Sequence, residues 1–196
     1  YRFDDLDQGV IVGEIVILDA YYTPAKLAAA LVDLLPIRPG EAVLEPSCGG
    51  GAFVRALLKK TPAVMAMDLD HEAPGLALTL SACADFLSIM PRIKPRWIIG
   101  NPPYNAAQEH VEHAIKASDQ HVAFLLRLGF LESKKRLGFW RRHPCRKVFV
   151  LSERPSFTGG GTDSAAYGLF WWDKNHRGPT ELEIISWKNS QQTPLL

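Results

Sequence analysis

The sequence predicts an α/β fold, a doubly wound and mostly parallel seven-stranded sheet with helices on both faces and an antiparallel edge. Three observations predict it. Short continuous apolar runs alternate with amphipathic segments along most of the chain, and the runs end on polar or glycine-bearing tips. Toward the C terminus the helical spacing thins and strands follow one another directly.

The elements read in order as follows. After an N-terminal arm (residues 1–20), Thr23-Pro24 has the form of an N-cap followed by proline at the first helical position. Leu27, Leu31, Leu34 and Leu35 then recur at helical spacing as far as Pro36. Ala42-Val43-Leu44 is a short buried strand that runs into Glu45-Pro46 and a glycine cluster. Phe53, Val54, Leu57 and Leu58 mark a second helix, closed by Lys59 and Lys60. Val64 to Met67 forms another strand ending at Asp68, a third is expected within 75–87, and Trp97-Ile98-Ile99 is a fourth, ending at Gly100-Asn101. Val111, Ala114 and Ile115 define one side of a helix over 106–118, and strand 121–127 follows. Strands 147–151, 167–172 and 182–187 complete the chain, with Trp171, Trp172 and Trp187 as core or edge residues. The whole reads as one domain over residues 1–196, with a motif-bearing core (21–172) and a C-terminal strand and tail (173–196).

Composition is consistent with one packed domain: 196 residues, 47% hydrophobic and 10% aromatic. No apolar run reaches the roughly 18 residues of a membrane span, and Asp4, Asp5 and Asp7 replace the basic start of a signal peptide. A cytoplasmic protein with no membrane partner is expected, although the sequence starts at Tyr1 and not at a methionine. Cys48, Cys83 and Cys145 are odd in number and scattered, which argues for reduced thiols and against a disulfide framework or a clustered zinc site. A formal net charge of +1 excludes a globally basic nucleic-acid binder but leaves room for a local patch.

In a doubly wound sheet ligands bind at the carboxyl ends of the strands. Three polar clusters fall there: Glu45-Pro46-Ser47-Cys48-Gly49-Gly50-Gly51, Asp68, and Asn101-Pro102-Pro103-Tyr104. Glycines let the backbone approach a ligand, and an acidic residue at the second strand tip can accept both hydroxyl protons of a ribose. The glycine turn alone is ordinary turn geometry. It lacks the Lys-Ser/Thr of a phosphate loop, and Glu45 would repel a pyrophosphate, so a nucleoside cofactor without phosphates fits better. Asn-Pro-Pro-Tyr is more specific. Paired prolines fix the direction of the Pro102 carbonyl, and the Asn101 side-chain oxygen supplies a second acceptor, so the pair can hold an NH2 group. The amine of adenine is a poor nucleophile because its lone pair is delocalised. Accepting both hydrogens from one side favours a pyramidal nitrogen whose lone pair points at a methyl donor, with catalysis by orientation and electrostatics and no required histidine. Tyr104 would stack on a base flipped out of its strand.

On these residues the chain resembles the amino-group (N6-adenine) DNA methyltransferases, over roughly residues 21–172. Tyr21-Tyr22-Thr23-Pro24 is similar to the family's leading motif, which contacts the methionine part of S-adenosylmethionine. Leu44 to Phe53 is similar to its glycine motif, which implies cofactor contacts at Glu45, Pro46, Ser47, Cys48 and Gly49 as well as at Tyr22, Thr23 and Pro24. The resemblance further implies a Rossmann-like methyltransferase sheet, ribose binding by Asp68, adenine binding by Asp85 and Phe86, and a catalytic set of Asn101, Pro102, Pro103 and Tyr104, with Asn101 also facing the cofactor. Arg154-Pro155-Ser156-Phe157 resembles the motif whose ring packs on the flipped base from the other side. Arg127 to Glu132 and Thr158 to Tyr167 look like small phage-type members. Family members that read a defined sequence usually carry a separate target recognition domain, and only about twenty residues follow the last methyltransferase-like strand here, so this chain is expected to be a small member without one, with specificity from loops, from a protein partner or through a single-stranded substrate.

Lys134, Lys135, Arg136, Arg141, Arg142, Arg146 and Lys147 cluster around Phe139 and Trp140. Lys134, Lys135, Arg141 and Arg142 are therefore expected to contact nucleic acid, with DNA expected ahead of RNA. The loop Thr158 to Ser164 reads either as a substrate clamp or as a plain surface turn. His110, His113 and His121 read as surface histidines, and no metal is expected. Two alternatives stay open: methylation of a glutamine side-chain amide in a protein, and a catalytically silent cofactor-binding subunit of a methyltransferase complex.

Overall fold

The computed structural model describes residues 22–157 and 163–188. The N-terminal arm, Tyr21, most of the expected clamp and the C-terminal tail lie outside the described residues. Helix α1 spans Ala25–Asp33, β1 Val43–Glu45, α2 Ala52–Leu57, β2 Val64–Asp68, β3 Leu80–Cys83, β4 Trp97–Gly100 and α3 Ala107–Ala117. They are followed by β5 His121–Arg127, α4 Leu137–Arg142, β6 Lys147–Leu151, β7 Tyr167–Asp173 and β8 Glu181–Ile185.

The strands form one eight-stranded sheet in the order β3-β2-β1-β4-β5-β7-β6-β8, one strand more than the expected seven because β8 joins the sheet alongside β6. Antiparallel pairing occurs on the C-terminal side of the sheet, as expected, where β7 runs against β5 and β6. The other pairings are parallel. Chain order reverses between β1 and β4, which pair through Val43 with Trp97 and Leu44 with Ile98. A crevice opens at such a switch point beyond the strand carboxyl ends.

Strand β5 shows why the apolar runs are continuous and not alternating. Ala123 and Leu125 pack into one core layer with Leu27, Leu31, Phe53 and Leu57 of α1 and α2. Val122, Phe124 and Leu126 pack into the other with Val111 and Ala114 of α3 and Phe139 of α4. A strand covered on both faces buries every side chain. Strand β3 is the opposite case: all four of its residues are exposed at the sheet edge, so no burial pattern marked it in the sequence.

Two local expectations are corrected. Pro24, not Thr23, is the N-cap of α1, its carbonyl accepting the Ala28 N–H at 3.0 Å, and the Thr23 hydroxyl turns instead toward Asn101. The histidines are not all surface residues. His110 is 6% and His121 8% exposed, because His110 Nδ1 bonds the Ala106 carbonyl at 2.9 Å and His121 stacks on Trp97 with centroids 4.0 Å apart. A helical i, i+3 spacing does not reveal which ring turns inward.

Candidate active site

The carboxyl ends of β1, β2 and β4 surround a cavity of about 220 Å³ whose lining includes Gly49, Asp68, Asp85, Phe86 and the whole Asn101-Pro102-Pro103-Tyr104 motif. A recess of about 30 Å³ continues from its Asn101 end beside Thr23, Glu45, Ser47 and Cys48. The three polar clusters of the sequence therefore meet in one place.

The glycine turn is shaped by close packing. Gly49 and Gly51 have φ of +44° and +77°, and a Cβ on Gly51 would lie 2.4 Å from Leu78 Cδ1 and 2.9 Å from Gly75 Cα. The Gly49 N–H donates to Asp68 Oδ2 at 2.7 Å and the Asp70 N–H to Oδ1 at 2.9 Å, so the Asp68 carboxylate is held open toward the cavity. Tyr22 lies across Gly49 and Gly50, where a Cβ on either glycine would meet its ring at 3.1 to 3.3 Å. Asp85 caps the short turn Phe86–Ser88, accepting from the Leu87 N–H at 3.0 Å and the Ser88 hydroxyl at 2.7 Å. Those bonds, the Ser88 hydroxyl first, hold its carboxyl below the usual range. The buried Phe86 ring packs edge-on against His113 at 4.7 Å.

Glu45 is 1% exposed. It accepts the Ser47 N–H at 3.2 Å, yet burial, aided by the nearby Asp68 charge, pushes its carboxyl well above the ordinary range. It fits only because residue 100 is glycine: a Cβ there would lie 2.0 Å from Glu45 Oε1. Cys48 is equally enclosed. Burial, then the neighbouring Glu45 and Asp68, push its thiol up to about 12. Its N–H bonds the Met67 carbonyl at 2.9 Å, and a Cβ on Gly75 would press its sulfur at 2.7 Å.

Asn101 Nδ2 donates to the Thr23 hydroxyl at 3.2 Å, which fixes the plane of its amide. Pro102 is buried, and the Pro103 carbonyl accepts the Ala106 N–H at 3.2 Å, setting the turn into α3. The Tyr104 ring belongs to an aromatic cluster, 5.6 Å from Tyr167 and 6.5 Å from Phe157, the latter at an interplanar angle of 66°. Burial, and then Tyr167, raise its phenol above the ordinary range. The Arg127 guanidinium lies 4.7 Å over its face.

Other expected residues scatter. Pro24 serves as the cap of α1 and does not line the cavity. Lys134 and Lys135 are exposed on a short turn before α4. Arg141 and Arg142 line a groove of about 500 Å³ with Gln120, Asp173 and Lys174, at the amino end of β5 and so at the opposite end of the sheet from Asn101. Arg142 pairs there with Glu112 at 3.6 Å. Arg146 and Lys147 are taken up by Asp173, Glu181 and Glu183. Three residues that the sequence did not point to matter here. Gly75 and Gly100 are defined by long-range packing, and His110 lines the main cavity; only the placement of Gly100 directly before Asn101 was a local signal.

In sequence, no protein-family model matches the chain and no curated protein matches it. In structure, it is similar to the methyltransferase subunit of a type I restriction-modification system from Streptococcus thermophilus, with a TM-score of 0.67 and 15% identity over 85% of this chain. It is similar also to a Listeria monocytogenes protein described as a class I S-adenosylmethionine-dependent methyltransferase, with a TM-score of 0.67 and 13% identity over 89% of the chain. The 23S rRNA methyltransferase ErmE matches with a TM-score of 0.60 and 18% identity over 77%. The chain spans 45% and 47% of the length of two type I subunits it matches, and 68% of the Listeria protein and of ErmE. Its fold is that of the S-adenosylmethionine-dependent methyltransferases.

Proposed function

We propose that this chain transfers a methyl group from S-adenosylmethionine to the exocyclic N6 amino group of adenine in nucleic acid, with DNA as the expected polymer. The observation that carries the reading is that Asn101-Pro102-Pro103-Tyr104 and the Gly49, Asp68 and Asp85-Phe86 positions line one cavity. No helix among the described residues is long and apolar enough to cross a membrane.

The residues fit the cofactor piece by piece. Asp68 accepts the ribose hydroxyls through its remaining lone pairs, while Asp85 and Phe86 hold the adenine by a hydrogen bond and an apolar face. Glu45, buried in the recess beside Thr23 and Asn101 with no ion pair among the described residues, answers the ammonium of the methionine part. When bound, the cofactor supplies a methyl group activated by its sulfonium. Asn101 Oδ1 and the Pro102 carbonyl accept the two amine hydrogens and turn the nitrogen lone pair toward that methyl. They also stabilise the positive charge that develops on the nitrogen. Tyr104 provides the stacking face. Phe157 now meets it edge-on at 6.5 Å, so entry of a base requires Phe157 to swing aside and close on the other face.

The test is transfer of tritiated methyl to adenine-containing DNA and RNA oligonucleotides, single- and double-stranded, with the product digested to nucleosides and identified by mass spectrometry. N6-methyladenosine or its deoxy form is expected, with a loss of about 10²–10³-fold in Asn101→Ala. Label on protein alone, or full activity in that variant, overturns the reading.

A further inference from the structure

Tyr104 is a wall shared by two cavities. On one side lies the candidate active-site cavity. On the other a separate groove of about 340 Å³ opens, lined by Asn105, Arg127, Phe130 and Arg136. Neither arginine is a loose surface cation. The Arg127 guanidinium lies on the Tyr104 ring at 4.7 Å, and its Nε donates to the Tyr167 hydroxyl at 3.2 Å. The Arg136 guanidinium lies 4.9 Å over the Phe130 ring, and its Nη1 donates to the carbonyls of Gly129 and Glu132 at 3.1 and 3.0 Å. Each planar fork is thus held by a ring beneath it and anchored through one nitrogen. Both terminal nitrogens of Arg127, and the Nε and Nη2 of Arg136, have no hydrogen-bond acceptor among the described residues. Neither arginine has a carboxylate ion pair there either, in contrast with Arg96, Arg142 and Arg146.

Two prefixed forks with unspent donors in one groove match a tetrahedral anion better than a base or an apolar group. Arginine binds phosphate oxygens through two parallel bonds, and holding the fork in place lowers the entropy lost on binding. A nucleotide whose base stacks against the active-site side of Tyr104 carries its backbone past the rim of that ring. We infer that Arg127 and Arg136 form a phosphodiester site that clamps the backbone beside the flipped adenine, in the groove on the far side of Tyr104. The inference rests on the proposed adenine-methylating function. It shifts the main backbone contact from Lys134 and Lys135 to Arg136 at the end of the same turn, and away from the distant Arg141-Arg142 groove.

The test uses the full chain with S-adenosylhomocysteine present and a fluorescent single-stranded DNA oligonucleotide containing one adenine, read by anisotropy across a salt series. Arg136→Ala, anchored on the surface side of the groove, is expected to weaken binding about 10-fold and to lower the slope of log K against log salt by about 0.7, the value for one single-strand phosphate contact. Arg141→Ala is the comparison and should leave the slope as it is. A methylphosphonate at the phosphate next to the adenine should reproduce the loss in the wild-type chain and add nothing in Arg136→Ala. Equal slopes for Arg136→Ala and the wild-type chain, or additive losses in that pair, overturn the clamp. If methyl transfer to adenine persists in that case, the parent reading stands. An oligonucleotide that neither binds nor is methylated overturns both.

Discussion

Replacing Gly100 by alanine places one methyl group where the Glu45 carboxylate now sits. The new Cβ would lie 2.0 Å from Oε1, 2.6 Å from Cδ and 2.7 Å from Oε2, and each must withdraw toward the 3.4 Å at which ordinary contact begins. Beside Glu45 lies the recess of about 30 Å³ proposed for the methionine ammonium, so the carboxylate retreats by filling it and loses its 3.2 Å bond from the Ser47 N–H. Overpacking of this kind costs about 1–3 kcal/mol of folding stability. Loss of a charge-assisted bond to the cofactor costs about 1.5–3 kcal/mol of binding, or roughly 10- to 100-fold in Kd. Titration calorimetry with S-adenosylmethionine and urea denaturation measure the two effects separately. Shortening the partner in Glu45→Asp/Gly100→Ala should restore stability relative to Gly100→Ala, because the clash is with the end of one side chain. A folded Gly100→Ala protein with the wild-type Kd would refute the assignment of Glu45 to the cofactor.

Further outcomes follow from the same geometry. Burial raises the Glu45 carboxyl, so cofactor-free protein gives up that proton at a higher pH than an exposed carboxyl would and a bound ammonium favours its loss; affinity by calorimetry should rise with pH until Glu45 ionises unaided, and Glu45→Gln should flatten that rise. Burial lowers His110 and His121 below the ordinary 6.5, opposed in part at His121 by Asp173. Through these two rings the unfolded chain is the first to take up protons; in Glu45→Gln, where the opposing titration of the buried carboxyl is removed, the urea midpoint should hold above about pH 6.5 and decline as the pH falls below it. Gly138 sits in α4, where an added Cβ meets only the end of Arg142 at 3.4 Å, so Gly138→Ala should raise stability by about 0.5–1 kcal/mol in the same assay.

Much of this architecture was legible because double-sided burial writes continuous apolar runs. Strands β1, β2, β4, β5, β6 and β7 emerged within a residue of their ends for that reason. The site was legible where chemistry demands unusual local composition, as in the glycine turn, Asp68 and the paired prolines. It was obscure where meaning arises only on folding. Gly100 matters through a residue on the neighbouring strand, Thr23 exchanged a capping role for a bond to Asn101, and His110 turned inward. The basic run misled for a related reason. Proximity in sequence does not survive α4: Arg136, just before it, lines the groove beside Tyr104, whereas Arg141 and Arg142, in its last turn, line the groove at the other end of the sheet.

The single reversed strand, β7, has a consequence for how such a protein can diversify. A parallel successor to β6 would have required the chain to cross back to the far end of the sheet before starting again. Because β7 runs the other way, Leu151 ends and Tyr167 begins at the same rim, where Phe157 and Asp163 also meet Tyr167. Length and composition there can drift without disturbing a single ladder of the cofactor half.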